Sequence, residues 1–497
     1  MSLWQPRGAQ CRCFPGDECW PSAADWASLN QSAHGALIAT VPIASPCHDT
    51  FRGIDYDAKK CAYIQANWPR PELHEKTAHS PMAAIFANMS CDLFTPREAQ
   101  LNASSATDYQ KTIAFAKSHN IRLVIRNTGH DYLGKSTGAG ALALWTHYII
   151  GIDILGYSSP SHTGKAMRVG AGVLEGETQR VASAQGCMVV EGDCETVGIA
   201  GGYTQGGGTS PLASKFGLAA DQVLEWEVVT ADGTLLTATP TQHSDLYWAL
   251  SGGGGGTYGA VVSMTVKLHK SMPTGSVTLS FAEATETYFP NGTAGGLMQL
   301  LHPTPQALNN SAIQYASTQQ DFPTFQGACN TLNPTMNITA VNLGGHIIPR
   351  TFVSTEDSAS SLINAIRSIS SNMAVFAGVS MDVHKPPTFP NAVNPAWRDS
   401  VFLAQHDEIN YTANIVAQAF VNNVLSPPLQ KLTPEGSAYL NEANFEKPNW
   451  QQLFYGDNYG KLVSTKKKYD PDDMFWGKTA VGSEAWDVAS DGKLCKT

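Results

Sequence analysis

The placement of glycine constrains this chain more than any other feature. Four blocks carry it: Arg126-Asn127-Thr128-Gly129-His130-Asp131-Tyr132, Gly192-Asp193-Cys194-Glu195-Thr196-Val197-Gly198, Gly201-Gly202-Tyr203-Thr204-Gln205-Gly206-Gly207-Gly208, and Gly252 to Gly256 followed by Thr257-Tyr258-Gly259. Without a Cβ, backbone N–H groups can turn inward and approach an anion closely. One such block is an ordinary turn. Four blocks flanked by β-rich runs, holding one His and one Cys, point to a large phosphate-bearing ligand with a covalent anchor.

The rest of the composition narrows the partners. With 497 residues the chain can hold two domains and a large core. Its formal net charge of −10 disfavours nucleic acid and anionic membrane. The run Lys466-Lys467-Lys468 reads as a solvated helix face. No stretch of about 18 uninterrupted apolar residues occurs, so no transmembrane helix is expected. The start, Met1-Ser2-Leu3-Trp4, lacks the basic and apolar runs of a signal peptide, so a secreted protein would have had its leader trimmed.

Cysteine and sequon usage favours a secretory route all the same. Six of the ten cysteines, at 11, 13, 19, 47, 61 and 91, fall in the first 91 residues. Seven Asn-X-Ser/Thr sequons start at Asn30, Asn88, Asn102, Asn291, Asn309, Asn337 and Asn410. Both patterns suit an extracellular, oxidising setting. Cys11, Cys13 and Cys19 have no second pair at ligand spacing, so disulfides are expected there and no metal site. Setting aside Cys187 and Cys194 leaves eight cysteines for bridges, with pairings that the sequence does not reveal.

Periodicity gives a mixed chain. Residues 1 to about 75 read as mostly irregular, with a short helix at Ala23–Leu29. Thr107–His119 reads as a helix, followed by a buried strand at Arg122–Ile125. Further strands are expected at Ala141–Trp145, Ala166–Val169, Glu225–Thr230 and Ala260–Leu268, and helices at Gly170–Ala184 and Asp245–Leu250. Beyond Met272 the glycine blocks cease. Ser276–Phe281 opens a different region as a strand, with helices at Gly295–His302, Ser358–Ile369 and Ala413–Asn422. These shifts divide the chain into a Cys-rich segment at 1–80, a ligand-binding domain at 81–270, a substrate domain at 271–450 and a tail at 451–497 that packs back on the first domain.

Two nucleotide motifs need separate treatment. Gly129-His130-Asp131-Tyr132-Leu133-Gly134-Lys135-Ser136 matches the P-loop pattern letter for letter. A P-loop must open a helix whose N-terminus helps hold the phosphates. Here Thr137-Gly138-Ala139-Gly140 and then strand-like Leu142-Ala143-Leu144-Trp145 follow instead. The run of five glycines also lacks a dinucleotide fold's G-x-G-x-x-G helix and acidic partner. Both readings are set aside.

The blocks, together with Gly217-Leu218-Ala219-Ala220-Asp221-Gln222, Val228-Val229-Thr230-Ala231-Asp232-Gly233, Asp245-Leu246-Tyr247-Trp248-Ala249-Leu250, Asn458-Tyr459 and Tyr469-Asp470-Pro471, occur in a familiar order. The set resembles the berberine-bridge-enzyme-like branch of the vanillyl-alcohol-oxidase/p-cresol-methylhydroxylase flavoproteins, in its secreted fungal form. The resemblance spans nearly the whole chain. It implies an α+β fold: a two-subdomain FAD domain, and a substrate domain whose antiparallel sheet is covered by helices. The isoalloxazine ring would sit between the two domains.

The resemblance also implies roles. His130 would be bonded to the flavin C8-methyl group, which needs a neutral imidazole nitrogen. Cys194 would be a second tether through flavin C6. However, Tyr203 stands where relatives often have His, and the spacing to the triple glycine is one residue longer, so an inert buried Cys194 is the alternative. Backbone N–H groups from Asn127 through Thr128 and Gly129 to His130 would face the pyrophosphate, with Asp131, Tyr132 and Thr196 beside them. Arg126 would add charge there or simply end its strand. Gly198, Gly201, Gly202, Gly206, Gly207 and Gly208 would line the flavin and ribityl chain. Gly255, Gly256, Tyr258, Gly259 and Val262 would lie near the adenine or pyrophosphate, and Asn458 near the flavin.

Hydride transfer needs a group that takes the substrate's proton, unless substrate resonance supplies the electrons. No motif announces that base. The candidates are Tyr203, Tyr439, Glu442 and Tyr459, each of which packing or solvation also explains. The expectation is a secreted, monomeric FAD-linked oxidase of a small molecule (a secondary metabolite, alcohol or carbohydrate), reoxidised by O2 to give H2O2. A flavin-containing cyclase or isomerase and a non-catalytic flavoglycoprotein are the alternatives.

Overall fold

The computed structural model describes residues 10–48, 50–51, 54–82, 99–102, 104–280, 284–333, 337, 342–372, 374–408 and 414–497. Cys91 and the sequons at Asn88 and Asn410 lie outside them.

The N-terminal segment holds more helix than composition suggests. Helix α1 (Ala23–Ser32) starts at Ser22, whose side chain accepts from Asp25 N while Asp25 reaches back to Ser22 N. That is a capping box, which satisfies two N–H groups left open by the helix start. Helices α2 (Ala58–Asn67) and α3 (Pro71–Glu75) follow where an irregular chain is expected from composition. Their start signals are plain once the fold is seen. Asp57 accepts from Lys59 N and Lys60 N, and Pro71 occupies the first turn of α3, where no N–H is needed. Disulfides Cys13–Cys19 and Cys47–Cys61 hold this segment, and Cys11–Cys495 joins it to the far end of the chain. Cys329 stays a thiol beside Gln179, contrary to the expected eight bridged cysteines.

Two sheets build the first large unit. Strands β1 (Leu37–Ala39), β2 (Ala99–Asn102), β3 (Leu123–Arg126) and β4 (Leu142–Trp145) lie in the order β1-β2-β4-β3. β2 and β3 both run parallel to β4. Helix α4 (Ala106–Ser118) buries Tyr109, Ile113 and Ala116, spaced at helical period, against Leu123, Leu142 and Leu144. The second sheet is antiparallel throughout. Its strands are β5 (Ile152–Ser159), β6 (His162–Gly170), β7 (Val223–Val229), β8 (Leu235–Ala238) and β9 (Ala260–Lys267), in the order β8-β7-β9-β6-β5.

Helix α5 covers Glu175–Ala184 and so starts five residues later than periodicity suggests. Gly170 belongs to β6, and Leu174 caps the helix because its N–H donates to Glu177 Oε2 at 2.9 Å. Helix α6 (Ser244–Leu250) ends at the glycine run.

The expected substrate-domain sheet consists of two three-stranded antiparallel pieces. β10 (Thr274–Ser280) lies between β11 (Ala284–Pro290) and β12 (Ala316–Phe322). β15 (Ser400–Glu408) lies between β13 (Asn342–Pro349) and β14 (Val375–Ser380). Helices α7 (Ala294–Leu301) and α8 (Glu356–Ser370) bury Leu297, and Leu362, Ala365 and Ile369, against these pieces.

The tail runs back across the first unit. Phe475 bridges to Leu123 of β3, and helix α9 (Tyr459–Tyr469) carries the basic run. That run is not simply a solvated face. Lys466 is 4% exposed; its Nζ lies 2.6 Å from Asp470 Oδ2 and donates to the carbonyls of Thr257 and Phe475. One continuous core joins the second sheet and α6 to Ala438, Leu440, Phe454 and Tyr455. The segment that holds Tyr439 is thereby fixed against the glycine blocks.

Candidate active site

The glycine blocks meet around a cavity of ≈ 390 Å³. β3 delivers the first block. Its last residue, Arg126, is 0% exposed and donates to the carbonyls of His74, Thr77 and Ser80, at 2.6 Å for Ser80. Arg126 therefore clamps the α3 segment, and it does not line the cavity. Gly129, at φ +94°, lets that guanidinium pass: an added Cβ would come 2.7 Å from Arg126 Nη2. Asn127 donates to Ala171 O and packs so closely on Gly198 that a Cβ there would lie 1.9 Å from Asn127 Oδ1. The first block and the Gly192–Gly198 block thus dock through one side chain.

That docking brings His130 and Cys194 together on the cavity wall. Thr196 Oγ1 lies 2.8 Å from His130 Nε2, and Cys194 Sγ lies 3.9 Å from the same nitrogen. Burial, with the charge of Arg126 beside it, holds the His130 imidazolium down to about pKa 4, so the ring is neutral at physiological pH. Burial pushes the Cys194 thiol up, against hydrogen bonds from Thr196.

The P-loop look-alike is a capped turn. Asp131 accepts Leu133 N and Ser136 N, each at 2.9 Å, and the chain proceeds into β4 with no helix. The cavity wall takes Thr128, Gly129, His130, Asp131, Tyr132, Leu133, Lys135 and Ser136 from this stretch. Gly198, Gly201, Gly202, Gly255, Gly256 and Gly259 also line it. An added Cβ at Gly202 or Gly256 would meet no protein atom within 4 Å. Side chains there would project into the cavity, so these glycines keep it open. A wall of bare backbone carrying a neutral His and a thiol suits a large flavin nucleotide.

Other expected residues stand behind the wall. Gly206 and Gly208 are covered by Asn441 and Tyr203. Tyr258 donates to Gly253 O at 3.0 Å and braces the glycine run. Val262 packs into the core of the first sheet, while its neighbour Val261 lines the cavity. Asn458 donates to the carbonyls of Ala392 and Val393, away from the wall.

The candidate bases separate in the same way. Tyr459 gives its hydroxyl to Glu484 at 2.7 Å and is not a cavity residue. Glu442 accepts from the Gln405 amide, and its carboxyl is pushed up to about 7 by burial and by Asp193. It too is absent from the wall. Tyr203 and Tyr439 both line the cavity. The Tyr203 hydroxyl is committed to Thr209 O at 2.7 Å. The Tyr439 oxygen instead accepts from Gly208 N at 3.1 Å and from Asn441 Nδ2 at 2.9 Å. Asn441 is a wall residue that sequence reasoning does not single out. It sits two positions after Tyr439, in a turn closed by the Glu442 N–H donating to Tyr439 O at 3.1 Å, which folds the Asn441 amide back onto the Tyr439 hydroxyl.

Comparison with known proteins agrees with this geometry. Residues 98–239 match the family described as FAD binding domain, and residues 438–482 the family described as berberine and berberine like. The chain is 42% identical to FAD-linked oxidoreductase sor8 of Hypocrea jecorina, covering 98% of this chain and 93% of that protein. It is 36% identical to bifunctional decalin synthase calF of Penicillium decumbens, covering 99% and 96%. The crystal structure of VAO-type flavoprotein MtVAO615 from Myceliophthora thermophila C1 superposes with a TM-score of 0.93 at 38% identity, covering 98% of this chain and all of the other. The protein acts on small molecules with FAD, and the chain belongs to the VAO-type, berberine-bridge-like family of FAD-dependent oxidoreductases.

Proposed function

We propose that the protein is a secreted, monomeric oxidase whose FAD is bonded to His130 and, through a thioether, to Cys194. Residues 81–270 hold the cofactor and 271–450 face the substrate, an alcohol, carbohydrate or secondary metabolite. The observation that carries this reading is the pairing of a neutral His130 with Cys194 on one glycine-lined wall. With Nε2 engaged by Thr196, Nδ1 is the ring nitrogen left for a cofactor bond. Bound FAD would supply the hydride acceptor, with O2 as the final oxidant, reduced to H2O2.

The protein's own part is to hold the substrate and move a proton. Tyr439 takes the substrate hydroxyl's proton, because two donors already point at its oxygen and favour the phenolate. Burial opposes them and raises the phenol overall, so the phenolate population grows with pH. Trp397, edge-on to Tyr439 at 5.5 Å, fixes the ring.

Acid-precipitated, washed protein stays yellow on this reading, and the His130→Ala, Cys194→Ala double variant yields a colourless pellet, whereas either single variant keeps one tether. A colourless wild-type pellet overturns the tether. One mole of H2O2 per mole of product marks an oxidase. The decalin synthase relative supports a second reading, ring closure in the same pocket. Product formation without H2O2 would select it.

A further inference from the structure

Lys135 is a half-buried cation to which neither the fold nor the proposed chemistry gives a task. It stands in the cavity wall between Leu133 and Ser136, and burial draws its ammonium down to about 8. Other lysines withdrawn from the surface have partners: buried Lys466 has Asp470 and two carbonyls, buried Lys447 has Ser426 Oγ at 3.2 Å, and half-buried Lys267 has Asp221 O at 3.1 Å. Among the described residues, no hydrogen bond or ion pair reaches Lys135. The nearest acid acting on it is Asp131, whose two oxygens already accept Leu133 N and Ser136 N. Its stem packs against Gly477, where an added Cβ would come 2.9 Å from Lys135 Cγ, so the side chain is held in place.

An ammonium at a cavity wall that no protein group pairs is left for an anionic ligand to pair, through charge-assisted hydrogen bonds. The turn that carries Lys135 begins in the block whose glycine opens the wall.

We propose that Lys135 is an anion-binding residue that contacts the diphosphate of FAD. The assignment rests on the cofactor site proposed above. The sequence Gly-Lys-Ser thus meets phosphate without a P-loop: a lysine on a capped turn replaces the helix N-terminus. No bond is made or broken. The ammonium exchanges its water for phosphate oxygens.

The test uses full-length apoprotein carrying His130→Ala and Cys194→Ala, so that both flavins bind reversibly. FAD and riboflavin, which share the ring and ribityl chain and differ in the diphosphate and adenosine, are titrated into this parent. The same titrations are run with Lys135→Met, Lys135→Gln and Lys135→Arg added. The expected result is a loss of FAD affinity of roughly tenfold to a hundredfold for Met and Gln, the range of a charge-assisted hydrogen bond. Riboflavin affinity should be unchanged, and Arg should restore most of the FAD affinity. Matching melting curves of the apoproteins show that the variants fold, and the affinities are compared for whichever neutral variant melts like the parent. Equal weakening of both flavins, or of neither, overturns the assignment. So does an unchanged flavin ratio together with a raised KM for acidic substrates in tethered Lys135→Met enzyme, which would make the anion the substrate's. A parent that binds neither flavin would instead bring down the cofactor site itself.

Discussion

At the scale of single residues, the site reorders the tyrosines that sequence alone proposes. Tyr203 and Tyr459 sit near family motifs, whereas Tyr439 reads from sequence as an ordinary core tyrosine. Only the cavity wall and the hydrogen bonds separate the proton donors to Thr209 and Glu484 from the acceptor of Gly208 and Asn441. Tyr439→Phe is expected to lower kcat/KM by about 10²–10⁴-fold, the usual contribution of a positioned base, with the flavin spectrum retained. Asn441→Leu removes one donor to the phenolate. That raises the Tyr439 pKa, so the alkaline rise of kcat/KM should move to higher pH; an unmoved profile counts against the role. Gly198→Ala is the sharpest glycine test. Its Cβ would meet Asn127 Oδ1, so covalent flavin content, read from the washed pellet, should fall steeply. That His130 and glycines of all four blocks would share one cavity is legible in the blocks, though Gly206 and Gly208 end behind its wall. Asn441 is not, since an Asn in Leu-Asn-Glu carries no signal until Tyr439 folds beside it.

At the scale of elements, caps decide where periodicity succeeds and where it fails. α4 and α6 lie within a residue of expectation because Ser105 and the glycine run mark their ends. α5 starts later than periodicity suggests. Residues 170–174 look apolar enough to join it, yet Gly172 presses on the His147 carbonyl, where an added Cβ would lie 2.4 Å away. α2 and α3 are hidden because cysteine and proline dominate their segment and mask the cap signals of Asp57 and Pro71. α9 shows tertiary contact overriding a charge run. Asp470 accepts Lys466 Nζ, Met474 N and Phe475 N, all in the interior. Asp470→Ala leaves an uncompensated ammonium and is expected to cost about 3–5 kcal/mol, measured by denaturant unfolding. A cost below about 1 kcal/mol would mean that the pair is far more hydrated than its burial indicates.

At the scale of the whole molecule, the α+β class and the order of glycine-rich and glycine-poor regions are readable, since they follow composition along the chain. The partition of the substrate-side strands into two sheets is not, because pairing such as β10 with β12 joins segments 36 or more residues apart with no mark in either. Nor is the bridge between Cys11 and Cys495, separated by 484 positions. Cys495→Ser, with Cys11→Ser, is expected to remove roughly 2–5 kcal/mol and to lower Tm while leaving flavin content intact. Loss of flavin would show that the bridge shapes the cavity as well. The same bond sets an order on biosynthesis. Cys11 emerges from the ribosome 484 positions before its partner and must wait, reduced or mispaired, until Cys495 has been made. The stitch between them is therefore a late event in maturation, and a ribosome that stalls short of position 495 releases a chain whose first segment has nothing to fasten to.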